Sequence, residues 1–400
     1  MSDAVLVLNA GSSSFKFTLY RVKGFDAASL TVDAKGQVEG LGLDPHFVAK
    51  TDQGEKLADE AWGAEAKSHK GALAKLLPWL TDRLAGHRLL CVGHRVVHGG
   101  PDHATPERIT PDLLETLRGY EVLAPLHQPH NLAAIQAVAA VDPALPQIAC
   151  FDTAFHRGHP AEADWFALPR SYHEEGVRRY GFHGLSYEYI ANRLSELDPD
   201  LAAGRVVVAH LGSGASICAI QNGQSMDSSM GFTALDGLPM GTRPGQLDAG
   251  VALYLMAEKG MDAKALEKLF YKESGLKGLS GLSNDMRDLR ASDAPEATFA
   301  IAYFTHHIVR QVGALAAVMG GLDGLVFTAG IGEKDAQLRA DVLKRLGWLG
   351  FEMDEAANIG HATTISTAAS LRKALVIPTD EEGMIARHSL SVLATDSLAA

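Results

Sequence analysis

The chain has 400 residues, of which 46% are hydrophobic and 21% are charged, and its formal net charge is −12 at pH 7. This length suits two domains, at roughly 100 to 200 residues for each. The acidic balance argues against general binding to nucleic acid or to an anionic membrane, since both need clustered Lys and Arg. An anionic ligand must therefore be held by a local group of positive charges.

The cysteines and the apolar stretches bear on the cellular compartment of the protein. Cys91, Cys150 and Cys218 all lie in apolar contexts, which predicts buried free thiols in a reducing compartment. The apolar run at 4–8 is too short for a signal peptide. The stretch 312–332 is interrupted by an aspartate and several glycines, which favours a helix and a strand over a membrane span. We expect a cytoplasmic protein with no membrane partner.

Two strand–turn–strand units, one in each half of the chain, organise the predicted fold. In 5–20, an apolar strand ends at Asn9, and a Gly/Ser turn leads into an alternating strand. In 206–220, a run of valines leads to His210, the turn Gly212-Ser213-Gly214 follows, and a second apolar strand returns. Two such units about half a chain apart suggest duplicated halves.

The remaining elements alternate between strands and helices. In the first half, we expect strands at 37–43, 46–51, 89–97 and 147–151, and helices at 73–84, at 132–141 and from Thr110-Pro111. In the second half, we expect strands at 224–228, 325–328 and 374–377, and helices at 247–258, 263–270, 296–319, 336–346 and from Glu381. No low-complexity linker separates the halves. The domain boundary is placed near Asp152, which gives domains at 1–151 and 152–384, and the C-terminal helix 385–400 packs back on the first.

Glycine-rich turns raise the question of nucleotide binding. The P-loop pattern is absent, and neither Gly212-Ser213-Gly214 nor Gly330-Ile331-Gly332 has the third glycine of a dinucleotide fingerprint. The second of these segments lies between a predicted strand and a predicted helix, where backbone amides can accept a nucleotide. Each turn alone also fits an ordinary hairpin or loop. Two phosphate hairpins together with a glycine-rich turn are what bound ATP needs.

Charged residues stand at places that ordinary surface positions do not explain. Arg95 ends an apolar strand and Arg243 lies in a Gly/Pro loop, so each is a candidate for gripping a carboxylate or a phosphate, although a surface ion pair is the alternative. Asp152 follows an apolar strand, a common place for functional groups in α/β sheets. His183 stands between glycines and is expected to be free of helix and strand.

Metal ligands have two candidate sources. The acids at 380–382 begin a predicted helix, where they can serve as N-terminal charges or as Mg²⁺ ligands. Among the 17 histidines, the pairs His94/His98 and His156/His159 lack cysteine partners and an H-E-x-x-H frame. Zinc is therefore set aside.

Eight segments occur in the order and spacing of one family. They are VLVLNAGSSSFKFTLY, HRVVHGG, CFDTAFH, RRYGFHGLS, VAHLGSGAS, MGTRPGQLD, FTAGIGE and IPTDEE. On these segments the chain resembles the acetate kinase family over essentially its whole length. The resemblance implies an α/β fold of two duplicated RNase H-like (actin-like ATPase) domains with a central cleft. It also implies ATP/ADP as co-substrate, acetate and acetyl phosphate as the other substrates, Mg²⁺ (or Mn²⁺ in its place) as cofactor, and a homodimer.

The resemblance also implies a role for each matched residue. It makes Asp152 the positioning or acid/base residue, His183 the transition-state stabiliser and Arg243 the clamp on the phosphoryl group. The implied metal ligands are Asn9 and Glu381. The implied carboxylate and methyl contacts are Arg95, Val97, Leu126, His127, Phe182 and Ala234. The implied ATP contacts are Ser12, Ser14, Lys16, His210, Leu211, Gly212, Ser213, Gly214, Asp285, Met286, Arg287, Gly330, Ile331, Gly332, Glu333 and Lys334.

Several positions depart from the family pattern. Ser213, Gln128 and Asp380 each stand where the family has asparagine, and Pro244 and Gln246 replace the serine and aspartate that follow Arg243. Ala234 replaces a proline of the implied methyl pocket, which predicts that propionate is also accepted. One methylene changes discrimination by only about 1 to 3 kcal/mol.

Three readings of the function stay open at this point. An acetate kinase that transfers phosphate by direct in-line attack comes first, because an ionised carboxylate needs no strong base. A propionate or butyrate kinase is the alternative within the same chemistry. An ATP-driven actin-like or chaperone-like module is the alternative from another class, and it would have no need for Arg95 and Arg243 as anion-binding groups.

Overall fold

The computed structural model describes residues 3–11, 14–125 and 127–399. It divides the chain into two compact units, Met1–Ala154 with Asp380–Ala400, and Phe155–Thr379. These bounds differ by a few residues from the predicted boundaries at 151/152 and 384/385. That each unit is a folding domain stays a prediction.

The helices and strands of both units follow in chain order. The strands are β1 (Asp3–Ala10), β2 (Ser14–Lys23), β3 (Asp26–Glu39), β4 (His46–Lys50), β5 (Lys56–Ala61), β6 (Leu89–Val96), β7 (Glu107–Arg108), β8 (Gln147–Phe151), β9 (Arg205–Leu211), β10 (Ala215–Gln221), β11 (Gln224–Ser228), β12 (Gly324–Thr328) and β13 (Lys373–Val376). The helices are α1 (His69–Leu84), α2 (Pro111–Gly119), α3 (Gln128–Val141), α4 (Ala161–Asp164), α5 (Arg170–Glu174), α6 (Gly184–Leu197), α7 (Pro199–Ala202), α8 (Ala249–Lys259), α9 (Ala263–Lys268), α10 (Gly275–Ser280), α11 (Met286–Arg290), α12 (Pro295–Val318), α13 (Ala329–Lys334), α14 (Ala336–Arg345), α15 (Glu355–Ile359) and α16 (Glu381–Ala399).

The two sheets repeat one topology. The first unit has an eight-stranded sheet of order β5-β4-β3-β2-β1-β6-β8-β7, and the second has a five-stranded sheet of order β11-β10-β9-β12-β13. In the first sheet β1 pairs antiparallel with β2 and parallel with β6. In the second, β9 pairs antiparallel with β10 and parallel with β12. The order β3-β2-β1-β6-β8 therefore corresponds to β11-β10-β9-β12-β13, and the duplicated halves expected from the hairpins are observed.

The first unit buries the central strands β1 and β6 of its sheet on both faces. An aromatic cluster of Phe17, Phe47 and Trp62 packs with the apolar residues of β1 and α1 in one core. Successive residues of a strand point to opposite faces, so Gly93 of β6 points away from its core neighbour Val92. A Cβ at Gly93 would lie 2.4 Å from Ser389 Oγ of α16. The C-terminal helix therefore packs directly on β6.

The second unit packs α6 against its central strands. Tyr187, Ile190 and Leu194 of α6 form a buried cluster with the valines of β9. α6 was not predicted from the sequence, whereas the strands that it covers were. Among the described helices, none is both long and apolar enough to cross a membrane.

Candidate active site

In the first unit, four of the predicted site residues lie at one edge of the sheet. Asn9 lies near the end of β1, Arg95 lies near the end of β6, Asp152 follows β8, and Glu381 begins α16. β1, β6 and β8 run parallel, so their carboxyl ends meet at this edge. The topology therefore brings together side chains that are far apart in sequence, and we call these four residues the acidic–arginine group.

Arg95 is the centre of the acidic–arginine group. Its Nε donates to Asp152 Oδ1 at 3.1 Å, and its Nη2 donates to Asp152 Oδ2, so the pairing is bidentate. Its Nη1 donates to Asn9 Oδ1 at 3.4 Å, and its Nε lies 3.9 Å from Glu381 Oε2. A bidentate guanidinium fixes both position and orientation. Asp152 therefore accepts from Nε and Nη2, which form one edge of the Arg95 guanidinium.

Burial sets the electrostatics of this group. Asp152 is 1% exposed, and burial raises the pKa of Asp152 while the charge of Arg95 opposes the rise. Burial raises the pKa of Glu381 to about 7, and Asp152 and Glu382 add to the shift, whereas Arg95 and Lys16 counteract it. The group therefore favours a further positive charge, which would stabilise the ionised form of Glu381.

The donor set of this group fits Mg²⁺ in one particular way. The described residues contain no cluster of three or more His, Cys, Asp or Glu side chains that could cage a metal. Mg²⁺ usually keeps several waters and is bound through one or two carboxylates together with substrate phosphates. The amide oxygen of Asn9 and the carboxylate of Glu381 are oxygen donors of that kind. They fit an ion shared with a phosphate and do not fit an all-protein site.

Two buried amides of α3 support the same edge of the sheet; Asn131 was missed from the sequence, and Gln128 was noted there only as a departure from the family pattern. Asn131 Nδ2 donates to Ala10 O at 2.7 Å, and Asn131 Oδ1 accepts from Val97 N at 3.0 Å. Gln128 Oε1 accepts from His98 N at 3.1 Å, and Gln128 Nε2 donates to His98 O at 3.0 Å. Polar residues in an otherwise apolar helix were the available signal. Gln128, a departure from the family pattern, therefore clamps the backbone that follows Arg95.

The helix start at Asp380 explains another departure. Asp380 Oδ1 accepts from Gly383 N at 2.9 Å, which is the hydrogen bond of an N-capping residue. Asparagine and aspartate are equally good in that position. Of the two roles left open for the acids at 380–382, the structure gives capping to Asp380.

In the second unit, a second set of predicted residues converges on Gly214, and we call His183, His210, Gly214 and Arg243 the histidine–arginine group. A Cβ at Gly214 would lie 3.4 Å from His183 Nε2 and 3.7 Å from Arg243 Nη2. The rings of His183 and His210 stack with centroids 4.2 Å apart. Two nitrogen donors therefore face the bare backbone of the turn.

His183 lies outside the helices and strands, as predicted, and directly precedes α6. His183 is the N-cap residue of α6, and it adopts the left-handed conformation with φ 58°. Its Nδ1 lies 2.8 Å from Ser216 Oγ on β10. The ring is therefore oriented by a helix start and by a strand, although flanking glycines made the segment look like a loop.

Arg243 is held by a closely packed loop. Its Nη1 donates to Ala234 O at 2.9 Å. Gly275, with φ 64° in the left-handed region, allows the backbone of the loop to approach, since a Cβ there would lie 2.7 Å from Arg243 O. Ala234, predicted as part of a methyl pocket, thus also contributes its carbonyl to the placement of Arg243.

A cavity of about 750 Å³ lies in the second unit beside this group. Eight of its lining residues were predicted as ATP contacts: Gly212, Ser213, Asp285, Met286, Arg287, Gly330, Ile331 and Lys334. Five others were missed: Asn284, Arg290, Ala291, Asp335 and Ala336. This volume lies in the range typical of small-molecule sites.

The glycine-rich segment beside this cavity, predicted as a turn between a strand and a helix, is itself helical. It forms the short helix α13, which begins directly after β12. Gly332 and Glu333 do not line the cavity, and their carbonyl oxygens accept from Nη1 of Arg339 at 2.9 and 2.8 Å. Arg339 is completely buried, and burial lowers its pKa. This arginine, which sequence analysis missed, fixes the floor of the cavity from beneath.

The remaining predicted residues are placed as follows. Lys16 pairs with Asn9 across β1 and β2, and Ser14 O accepts from Gly11 N at 2.8 Å. Val97 and Phe182 are buried, and His127 precedes α3. Leu211 is buried at the end of β9. The predicted contacts Ser12 and Leu126 lie outside the described residues.

Comparisons with known proteins agree on one family. The model of the acetokinase family matches residues 4–387. The acetate kinase of Nitrobacter hamburgensis is 52% identical over 392 residues, which cover 98% of this chain and 96% of the relative. The crystal structure of Porphyromonas gingivalis acetate kinase has a TM-score of 0.87 and 37% identity, covering 98% of this chain and 100% of the other. A propionate kinase from Francisella tularensis has a TM-score of 0.90 and 35% identity, covering 96% and 98%.

Proposed function

The chain belongs to the acetokinase family, and we propose that it transfers the γ-phosphate of ATP to acetate, giving acetyl phosphate and ADP in a reversible reaction. The observation that carries the proposal is the convergence of His183 Nε2 and Arg243 Nη2 on Gly214, in the same hairpin whose Gly212 and Ser213 line the nucleotide-sized cavity. Donors gathered beside a phosphate-binding turn are suited to stabilise a phosphoryl group in transfer.

The two residue groups divide the work of this reaction. Phosphoryl transfer needs alignment and charge stabilisation more than covalent chemistry, because charge spreads over the equatorial oxygens. Arg243 and His183 donate to those oxygens. Arg95 binds the acetate carboxylate with the part of its guanidinium that Asp152 leaves available, and Asp152 keeps the guanidinium in place. The carboxylate oxygen then attacks phosphorus in line, with no phosphoenzyme.

Mg²⁺, or Mn²⁺ in its place, is part of the proposal. Asn9 and Glu381 would hold it, and when bound it neutralises charge on the phosphate oxygens. The raised pKa of Glu381, which follows from burial and from neighbouring acids, supports a cation at this position. The nucleotide itself is assigned to the cavity bordered by Asp285, Gly330 and Lys334.

The acceptor is expected to include propionate. Val97, Phe182 and Ala234 are the proposed contacts of the substrate methyl group, and alanine at 234 leaves more room than proline. A propionate kinase among the similar structures supports this extension. Propionate and butyrate kinase remain the second candidates within the family's chemistry.

A homodimer in the cytoplasm is proposed as the working form. Helix α8 contains no buried residue, although its Val251, Leu253, Tyr254 and Met256 are large and apolar. A contiguous exposed apolar face of this kind usually marks an interface. We expect light scattering to give a dimer mass, and the double variant Leu253→Lys/Tyr254→Lys to give a monomer with intact secondary structure.

A hydroxamate assay tests the proposed function directly. Purified protein with Mg-ATP should form acyl hydroxamate fastest from acetate, measurably from propionate and least from butyrate. Chiral γ-phosphate should be transferred with inversion, and net retention would reveal a phosphoenzyme and refute direct attack. ATP hydrolysis that is independent of acetate and unchanged in Arg95→Ala and Arg243→Ala would instead support the actin-like or chaperone-like alternative.

A further inference from the structure

A short hydrogen-bonded chain runs behind His183, on the side away from Gly214. His183 Nδ1 lies 2.8 Å from Ser216 Oγ, and Ser216 Oγ lies 2.5 Å from Tyr187 Oη. Tyr187 and Ser216 are both completely buried. Ser216 is on β10 and Tyr187 is on α6, one turn after the N-cap residue His183. Neither residue was singled out from the sequence.

Burial fixes the direction of this chain. Burial raises the pKa of Tyr187 well above its ordinary value, so the phenol keeps its hydrogen. A buried hydroxyl hydrogen needs an acceptor, and Ser216 Oγ is the one hydrogen-bond partner of Tyr187 Oη within residues 3–11, 14–125 and 127–399. Tyr187 therefore donates to Ser216. The hydrogen of Ser216 is then left to donate to His183 Nδ1.

The direction decides which nitrogen of His183 carries a hydrogen. A neutral imidazole has one donor and one acceptor nitrogen, and the partner of one nitrogen sets the state of the other. Because Nδ1 accepts from Ser216, Nε2 carries the hydrogen. Nε2 is the nitrogen that faces Gly214 beside Arg243 Nη2. In the opposite tautomer, a lone pair would face the anionic oxygens.

Two further groups lie beside the ring of His183. The ring of His210 is stacked on it with the centroids 4.2 Å apart, and Arg243 Nη2 and His183 Nε2 both face Gly214. With its hydrogen on Nε2, a neutral His183 ring can donate on the side of the turn where Arg243 also donates.

We propose that Tyr187 and Ser216 are positioning residues that hold His183 in its Nε2–H tautomer, so that it donates a hydrogen bond to the transferring phosphoryl group. This inference rests on the proposed function for its catalytic meaning, whereas the tautomer itself can be read without any turnover. The proposal concerns His183 alone, because His210 has a different partner: its Nδ1 lies 2.9 Å from Ser186 Oγ.

Nitrogen NMR of the full-length protein tests the tautomer. Protein labelled with ¹⁵N-histidine is measured above neutral pH, and His183 is assigned by the signals that disappear in His183→Gln. We expect Nδ1 of the wild type to resonate as an unprotonated nitrogen and Nε2 as a protonated one. Tyr187→Phe and Ser216→Ala should shift both signals towards a mixture of tautomers, and Ser216→Thr, which keeps a hydroxyl, should restore them. A wild-type spectrum with the hydrogen on Nδ1 overturns the proposal, even if a variant fails to fold.

Steady-state kinetics of the variants are the second test of this proposal. Tyr187→Phe should lower kcat about tenfold and Ser216→Ala about a hundredfold, with each KM changed less than about twofold, since only transition-state donation is weakened. Ser229→Ala is the matched control. Ser229 is a buried serine whose Oγ accepts at 2.9 Å from the backbone N of Ile217, the residue after Ser216 on β10. Removing its hydroxyl should change neither kcat nor the His183 signals. Wild-type kcat in Ser216→Ala refutes the inference. A wild type that forms no hydroxamate refutes the proposed function and leaves the tautomer measurable.

Discussion

The hairpins β1–β2 and β9–β10 occupy equivalent places in the two sheets, yet they have opposite chemistry. Asn9 pairs with Lys16 across the first hairpin, and His210 pairs with Ser216 across the second, in each case one step before the last pair of the ladder. Around Asn9 the neighbours are buried ions, with Arg95 clamped on Asp152. Around His210 they are ring stacking and hydroxyl hydrogen bonds. The duplicated topology fixes the position of each functional group. Whether its neighbours are ionised or neutral determines its chemistry.

This difference predicts different responses to truncation. A buried ion pair becomes costly when one partner is removed, because the other charge stays behind without compensation. A neutral hydrogen bond loses less. The acidic–arginine group should therefore combine catalytic and structural effects, whereas the histidine–arginine group should show catalytic effects alone.

Arg95→Ala should have the largest effect. It removes the carboxylate anchor and leaves Asp152 and Glu381 as uncompensated buried acids, so hydroxamate formation should fall about 10² to 10³-fold and the free energy of unfolding by about 3 to 5 kcal/mol. Urea denaturation and the hydroxamate assay measure the two losses. Arg205→Ala, which removes the bidentate partner of Asp323 at the opposite end of β9 from His210, is the control and should keep full activity. An active Arg95→Ala enzyme would contradict the assigned role.

Arg243→Ala should lose activity to a similar extent without the loss of stability. Its Nη1 donates to the carbonyl oxygen of Ala234, a neutral acceptor, and kcat should fall about 10²-fold or more. The urea midpoint should remain close to that of the wild type. If Arg243→Ala were destabilised as strongly as Arg95→Ala, the contrast between the two groups would fail.

Acid should destabilise the first unit through His94. This residue occupies the place on β6 that Phe327 occupies on β12, since they pair with Leu8 and Ala209. Burial lowers the pKa of His94 to about 4. The unfolded chain therefore binds a proton between about pH 6.5 and 4 that the folded protein does not, and stability falls as the pH decreases through that window. The loss should reach about 2 to 3 kcal/mol by pH 4.5.

His94→Gln tests this assignment because glutamine does not titrate, and its side-chain amide nitrogen takes the place of His94 Nε2, which pairs with Gln147 Oε1 at 2.7 Å. Urea unfolding at pH 7 and pH 4.5 should show a smaller decrease for the variant than for the wild type. An equal decrease would mean that other groups cause the acid sensitivity.

Gly330→Ala should have the smallest effect and should act only on the nucleotide. A Cβ at Gly330 would meet no described atom within 4 Å, and the residue lines the cavity. The fold should therefore accept the methyl group, whereas the KM for ATP should rise about tenfold, which corresponds to about 1.4 kcal/mol. Gly347→Ala, also without a nearby atom, is the matched control. A changed KM for acetate would argue against this placement of the nucleotide.

The sequence indicated the two hairpins and the strand-end positions of Asn9, Asp152 and His210 because each of these polar residues directly follows an apolar run typical of a buried strand. It did not indicate α6, since the Gly-Phe-His-Gly segment at its start resembles a loop. It also did not indicate Arg339, because an arginine in an amphipathic helix is usually solvated. Its burial depends on the C-terminal carbonyl groups of α13, which accept hydrogen bonds from its guanidinium only in the folded structure.

The residues that orient the two site groups could not be recognised from the sequence either. Asn131, Gln128, Ser216 and Tyr187 are ordinary residue types at unremarkable spacings, and their importance lies in which atoms they reach. Sequence motifs mark the groups that face a substrate. Partners that orient those groups come from other elements, so they become visible only when the elements are packed.

The contact of α16 with β6 has a consequence for the order of synthesis. The helix that covers Gly93 and its neighbouring strands is translated after the whole of Phe155–Thr379. Until then, one face of the first sheet lacks its cover and Arg95 lacks Glu381, while all residues of the second unit have already been translated. The first sheet is completed only by a helix translated after the second unit, so the growing chain has to keep an incomplete sheet from pairing with other chains during that time.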